Sequence, residues 1–232
     1  MDGIILVDKP AGWTSHDVVA KVRAIIRSQT GQKVKVGHTG TLDPFATGLL
    51  ILVVGSYTKR AAEFSKLDKT YEAELALGKT STTGDIEGEI SPKSTNKPTK
   101  GTVEAVLSQF KGQIEQTPHA YSAIKVGGQR AYKMARQGKE VKLEPRQVTV
   151  HRLQVTEYKY PKLKVVAEVS SGTYVRSLAE DVGDKLGTGA YLSALRRTKV
   201  GQYDVNNALS INNLSFKNLQ QHLQNRGKTA NI

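Results

Sequence analysis

One carboxylate stands among glycines, hydroxyls and a histidine in GHTGTLDPFATGLLILVVG, residues 37–55. It belongs to Asp43. The following proline disfavours helical backbone and holds the aspartate extended, while Gly37, Gly40 and Gly48 permit turns that other residues resist. Thr39 and Thr41 add hydroxyls, and His38 adds a ring that can stack or hydrogen-bond. Spacing alone leaves two readings: Asp43 supports a β-turn, a common use of Asp-Pro, or it is a carboxylate held on a bent loop to react. An ordinary glycosidase would set a second carboxylate across the scissile bond. Asp85, Glu87 and Glu89 in TTGDIEGEI are the candidates, but they alternate with Ile86, Gly88 and Ile90 as a solvated strand edge or loop would.

Other chemistries find little support. With no cysteine there is no thiol nucleophile, disulfide or cysteine metal site. The five histidines, His16, His38, His119, His151 and His222, show no metal-ligand spacing. No GxxxxGK[ST] occurs, and Gly127-Gly128-Gln129-Arg130 is too short for a phosphate loop. Lysine and arginine total 34 against 21 acidic residues, a formal charge of +13 over 232 residues, so a polyanion is the first partner to test. Nucleic acid is the usual one.

At 38% hydrophobic and 24% charged residues the chain reads as globular, and it has no apolar run of the roughly 18 residues that a membrane span needs. MDGIILVDKP lacks the basic region and cleavage site of a signal peptide, so a cytoplasmic protein is expected.

The elements that must hold Asp43 follow from periodicity. GIILVDKPAG reads as a short buried strand. The next helix is capped by Thr14 or Ser15, buries Val18, Val22, Ile25 and Ile26, and closes at Gly31. LLILVVG predicts a strand covered on both faces. In KTYEAELALG, Tyr71, Ala73, Leu75 and Leu77 form the inner face of a half-exposed strand. SPKSTNKPTKGT predicts an exposed loop, with Thr102 capping a helix that buries Val103, Val106, Leu107 and Phe110 and ends at Gly112.

The basic segment from Pro118 to Arg146 reads as an excursion from the sheet, broken at Gly127-Gly128. A hairpin follows, turning at Tyr160-Pro161-Lys162. The helix in GTYVRSLAEDVGDKLG buries Val175, Leu178, Ala179, Val182 and Leu186, with Arg176 on another face at its N-terminal end. A short helix holding Leu192 and Leu195, a strand over about 200–205 and a last helix with Phe216, Leu219 and Leu223 complete the chain. The expected class is α+β: a mixed, largely antiparallel central sheet flanked by helices.

GHTGTLDPFATG resembles the catalytic-loop motif GHxGxLDPxAtG of the TruB family of pseudouridine synthases. GIILVDKPAGWTSHDVV is similar to that family's N-terminal motif and KTYEAELALG to its tyrosine-bearing strand. PHAYSAIKVGGQRAYKMARQG resembles its RNA-gripping insertion, and SSGTYVRSLAEDVGDKLGTGAYLSALRRTKVG its C-terminal motif. Five motifs in one order span Gly3 to about Val205.

The resemblance implies the pseudouridine synthase fold, and isomerisation of the T-loop uridine at tRNA position 55, by a monomer, without metal or cofactor. By motif position it makes Asp43 the catalytic aspartate, Arg176 the arginine that pairs with it and Tyr71 the tyrosine that stacks on the target uracil. His38 matches the histidine that fills space left by flipped-out nucleotides. Tyr174 and Leu195 resemble the residues lining the uracil pocket. Lys9 and Pro10 resemble a pair supporting the catalytic loop. Lys125, Arg130, Lys133 and Arg136 would be phosphate contacts on an insertion of about 118–146 that grips the T-arm. Residues 1–232 are expected to form one catalytic domain, without the PUA-type C-terminal domain common in bacterial members. The alternative is a tRNA-binding or tRNA-folding module without turnover; a third reading, a sister synthase working with guide RNA, is disfavoured by the lack of basic tails.

Overall fold

The computed structural model describes residues 1–119, 121–122, 124–139, 141 and 143–227. From the N-terminus the chain runs β1 (Gly3–Lys9), α1 (Ser15–Thr30), β2 (Val36–His38), β3 (Thr47–Val54), α2 (Ala61–Ser65), β4 (Lys69–Leu77), β5 (Lys79–Ser81), β6 (Ile90–Pro92) and α3 (Lys100–Ser108). Next come β7 (Gly112–Gln116), β8 (Lys125–Val126), β9 (Gln129–Arg130), α4 (Ala131–Arg136), β10 (Arg146–Lys159), β11 (Lys162–Val169) and α5 (Val175–Lys185). It ends with β12 (Ala190–Val200), β13 (Tyr203–Asp204), β14 (Leu209–Ser210) and α6 (Phe216–Gly227). These elements form two compact units, one of residues 1–69 and 196–232, the other of 70–195.

In the first unit the strand order is β14-β1-β3-β12, with β2 also on β3 and β13 on β12. β1 and β3 pair antiparallel from Gly3 opposite Val54 to Lys9 opposite Gly48. β12 joins β3 in parallel, Arg196 beside Thr47 and Arg197 beside Gly48. Both central strands are buried on both faces, as their unbroken apolar runs require. Ile5, Val7, Leu50 and Leu52 pack with Val18, Val22 and Ile26 of α1 and Leu219 and Leu223 of α6. Ile4, Leu6, Leu49 and Ile51 face Phe64 of α2 with Val200 and Tyr203. Thr14, not Ser15, caps α1: its hydroxyl accepts from the Asp17 N–H while the Asp17 carboxylate accepts from the Thr14 N–H.

In the second unit the order is β12-β4-β11-β10-β7. Leu75 of β4, Val165 and Ala167 of β11 and Leu153 of β10 meet Leu107 of α3 and Val175, Leu178 and Val182 of α5. The α+β reading holds, with three local corrections. Thr99, rather than Thr102, caps α3, and the helix stops at Ser108, leaving Gly112 to begin β7. The stretch carrying Leu192 and Leu195 is strand β12, not a helix. Its buried positions are 190, 192, 195, 197 and 200, so the alternation changes phase twice and the 192/195 step imitates a helix. The strand expected over about 200–205 is a hairpin corner between β12 and β13.

The basic excursion folds into the hairpin β8–β9, Lys125 opposite Arg130, followed by α4. Gly127 and Gly128 turn it with φ of 55° and 85°, the backbone of a two-residue turn that excludes most side chains.

Candidate active site

Asp43 sits half-buried in the first unit, on the loop between β2 and β3. Its neighbours on both sides are clamped. The Ser15 hydroxyl donates to the Leu42 carbonyl at 3.1 Å and accepts from the Leu42 N–H at 2.9 Å. After it, the Pro44 carbonyl accepts from the Lys9 ammonium at 3.3 Å and from the Gly12 N–H at 2.9 Å. Ala46 N–H closes the bend on the Asp43 carbonyl at 3.1 Å. Lys9 is 0% exposed, and its ammonium also donates to the carbonyls of Trp13 at 2.6 Å and Pro10 at 3.0 Å. One buried cation thus ties the turn after β1 to the loop of Asp43. The family resemblance pointed to Lys9 as a support of this loop; nothing in the sequence pointed to Ser15.

A second buried cation holds the loop from the other end. Arg197 of β12 donates from Nε to the Leu49 carbonyl at 2.8 Å and from Nη2 to the Gly40 carbonyl at 3.1 Å. The backbone of Arg197 also passes close to β3, which is why Gly48 is glycine: with φ of 104°, a Cβ there would lie 2.3 Å from the Arg197 carbonyl oxygen. His38 ends β2 opposite Leu52 and is half-buried. Beside Arg197, the Lys69 side chain caps the end of α2, donating to the carbonyls of Ser65 at 2.6 Å and Leu67 at 2.5 Å. Burial pushes its ammonium down to about 8; the Arg197 charge adds to this, while Asp68 opposes it.

In the second unit, Arg176 begins α5 and is 7% exposed. Nη1 lies 3.1 Å from Asp85 Oδ2 and donates to the Thr83 carbonyl at 3.0 Å; Nη2 donates to the Tyr121 carbonyl at 2.9 Å. The reading of Asp85 as part of a solvated edge is therefore wrong: it is 1% exposed. Its other oxygen accepts from the Thr83 hydroxyl at 2.6 Å and the Glu87 N–H at 3.0 Å, and its backbone bridges to Leu192. Glu87 and Glu89 do face solvent as expected.

Tyr71 lies on the inner face of β4 and Leu195 on β12, both buried. Tyr174 stands at the N-cap of α5, its backbone N–H donating to Gln116 Oε1 at 2.8 Å and its carbonyl accepting from Gln116 Nε2 at 3.1 Å. Arg130 and Lys133 are exposed on the β8–β9–α4 excursion. The side chains of Lys125 and Arg136 lie outside the described residues. Among the described residues no three or more His, Cys, Asp or Glu side chains gather so as to hold a metal ion, and no helix is long and apolar enough to cross a membrane.

The TruB family pseudouridylate synthase (N terminal domain) model matches residues 27–175, and the tRNA pseudouridylate synthase B C-terminal domain model matches residues 176–227. The tRNA pseudouridine synthase B of Arthrobacter sp. (strain FB24) is 43% identical over 222 residues, 93% of this chain and 71% of that protein. The enzyme of the same name from Thermobifida fusca (strain YX) is 44% identical over 223 residues, 92% of this chain and 74% of that one. Among solved structures, a Cbf5-Nop10-Gar1 complex aligns at a TM-score of 0.70 and 28% identity, covering 90% of this chain and 52% of its counterpart. The chain thus spans about half the length of that solved relative. A family match across both units, with the aspartate loop, the tyrosine strand and the buried arginine each in its motif, places the chain in the TruB family of pseudouridine synthases.

Proposed function

We propose that this protein isomerises the T-loop uridine at position 55 of tRNA to pseudouridine, with Asp43 as catalyst. The N1–C1′ bond breaks, the uracil turns in place, and a C5–C1′ bond forms. The C5 proton leaves as N1 regains one, so the reaction needs no water. Water would in fact divert it, since the detached base must be recaptured. One carboxylate suffices to attack the nucleotide or take a ribose proton, provided it is ionised. The observation that carries the reading is the clamping of the residues around Asp43 by Ser15, Lys9 and Arg197, in a chain whose relatives are tRNA pseudouridine synthases.

The remaining roles follow from motif position. Arg176 supplies the countercharge that favours ionised Asp43; a guanidinium close to a carboxylate is worth about 1 to 3 pKa units. Tyr71 stacks on the uracil, and Tyr174 and Leu195 line its pocket. Extruding the nucleotide costs a few kcal/mol of stacking, and His38 fills the space it leaves. Lys125, Arg130, Lys133 and Arg136, on the insertion of about 118–146, contact T-arm phosphates. The protein works as a cytoplasmic monomer, residues 1–232 acting as one catalytic domain.

The test is reaction with an unmodified T-arm stem-loop transcript, followed by mapping of the modified base. Asp43→Asn is expected to retain RNA binding and lose product. Pseudouridine formation by that variant at the wild-type rate overturns the assignment, and wild-type binding without product favours a tRNA-folding module.

A further inference from the structure

The surface of α1 carries a charge pattern that the catalytic reading does not use. Residues 18–42 contain five cations, Lys21, Arg23, Arg27, Lys33 and Lys35, and no acid, in a chain with 21 acids among 232 residues. Lys21 stacks over Trp13, at 5.5 Å from the ring centre. The other four are exposed. Arg23, Arg27 and Lys33 rim a groove between the C-terminal half of α1 and the segment 32–34, with Ala20, Ala24 and Val34 along it.

Of the elements packed against α1, β1 carries one acid, Asp8, and it is paired with Arg196 at 2.8 Å. The one acid of α1, Asp17, is committed to the capping box, and neither β2 nor α6, which pack against α1, contains Asp or Glu. Arg23 also donates to the Val36 carbonyl, which fixes one wall of the groove to β2. Lys33 and Lys35 precede His38 by five and three residues, at most about 17 and 10 Å of chain. A row of cations along a groove whose helix side is kept low by Ala20 and Ala24 suits a sugar–phosphate backbone, which needs charge and close approach but no base-specific partner.

We propose that this groove is a second RNA contact, taking the phosphate backbone of the tRNA outside the loop that enters the catalytic site. The proposal rests on the tRNA reading above for the identity of the RNA.

Arg27→Glu combined with Lys33→Glu tests it, leaving Arg23 and its bond to β2 in place. The comparison is Lys111→Glu with Lys159→Glu, an equal charge change on exposed lysines of the other unit. Binding of full-length unmodified tRNA transcript is measured by fluorescence anisotropy across a salt series, and single-turnover product formation at saturating protein. The groove pair is expected to raise Kd about tenfold or more at low salt and to reduce the log–log salt slope by roughly two, with the saturated rate within about twofold of wild type. Equal weakening by the comparison pair overturns the proposal, as do an unchanged Kd and slope, or a lost rate at unchanged Kd. Wild-type protein that binds tRNA but forms no pseudouridine refutes the catalytic reading and leaves this binding test intact.

Discussion

Arg176 Nη1 stands 3.1 Å from Asp85 Oδ2, both side chains almost wholly out of solvent, at 8% and 2% exposure. The pair joins the start of α5 to a loop 91 residues earlier, and the guanidinium also donates to the carbonyls of Thr83 and Tyr121. A buried ion pair is a weak source of net stability, yet removing one partner strands a charge in low dielectric at a cost of about 3–5 kcal/mol. Asp85→Ala is therefore expected to destabilise the protein by about 3 kcal/mol or more in urea unfolding. Replacing both partners, Asp85→Leu with Arg176→Met, should cost less than the sum of the single changes. Strict additivity would mean that the pair does not interact.

Arg197 makes a different prediction because its partners are neutral. Arg197→Met removes the donors to the Leu49 and Gly40 carbonyls, each loss costing about 1–3 kcal/mol if the oxygen stays dry. Gly40 lies three residues before Asp43, so loosening it should lower kcat while leaving the Kd for tRNA near wild type. Arg197→Lys keeps the charge without the planar fork and should fall between the two. Parallel changes in kcat and Kd would argue that Arg197 acts on RNA binding rather than on the loop.

These residues also mark where the sequence ceased to be legible. β1, α1, β3, β4 and the β10–β11 hairpin follow from clean periods and turn chemistry, and Asp43 is conspicuous as a lone acid before proline. Asp85 was hidden because it alternates with Glu87 and Glu89, which do face solvent, and because its partner is distant in the chain. Ser15, Lys69 and Arg197 act on backbone carbonyls. Every residue has a carbonyl, so such partners leave no trace in residue types. β12 was misread for a geometric reason, the two phase changes that put Leu192 and Leu195 at helical spacing.

Gly48 tests the contact between β3 and β12 by sterics alone. An alanine Cβ would sit 2.3 Å from the Arg197 carbonyl oxygen and 2.7 Å from its nitrogen, at a φ of 104° that alanine rarely adopts. Neither strand can move without breaking the parallel pairing of Arg197 with Gly48. Gly48→Ala is expected to cost about 2–4 kcal/mol, against a gain of under 1 kcal/mol from reduced chain entropy, and to lower the melting temperature by several degrees. A melting temperature at or above wild type would show that the strands tolerate separation there.

Lys69 makes stability depend on pH with a definite sign. Its ammonium is held at about 8 in the fold, below the ordinary 10.5, chiefly by burial and then by the charge of Arg197. Below pH 8 both folded and unfolded chains carry the proton, and the fold bears the full cost of a buried charge. Between about pH 8 and 10.5 the folded chain releases its proton while the unfolded chain keeps it, so the unfolded state binds more protons and stability rises with pH. The wild-type protein should thus gain stability relative to Lys69→Met across that window, whereas below pH 8 the difference between them should stay flat. Unfolding free energies from urea titrations at pH 7, 8, 9 and 10 measure this. Parallel curves for the two proteins would mean that the proton stays on Lys69 in both states, and a wild-type curve that falls relative to Lys69→Met would mean that the fold strengthens the charge instead of opposing it.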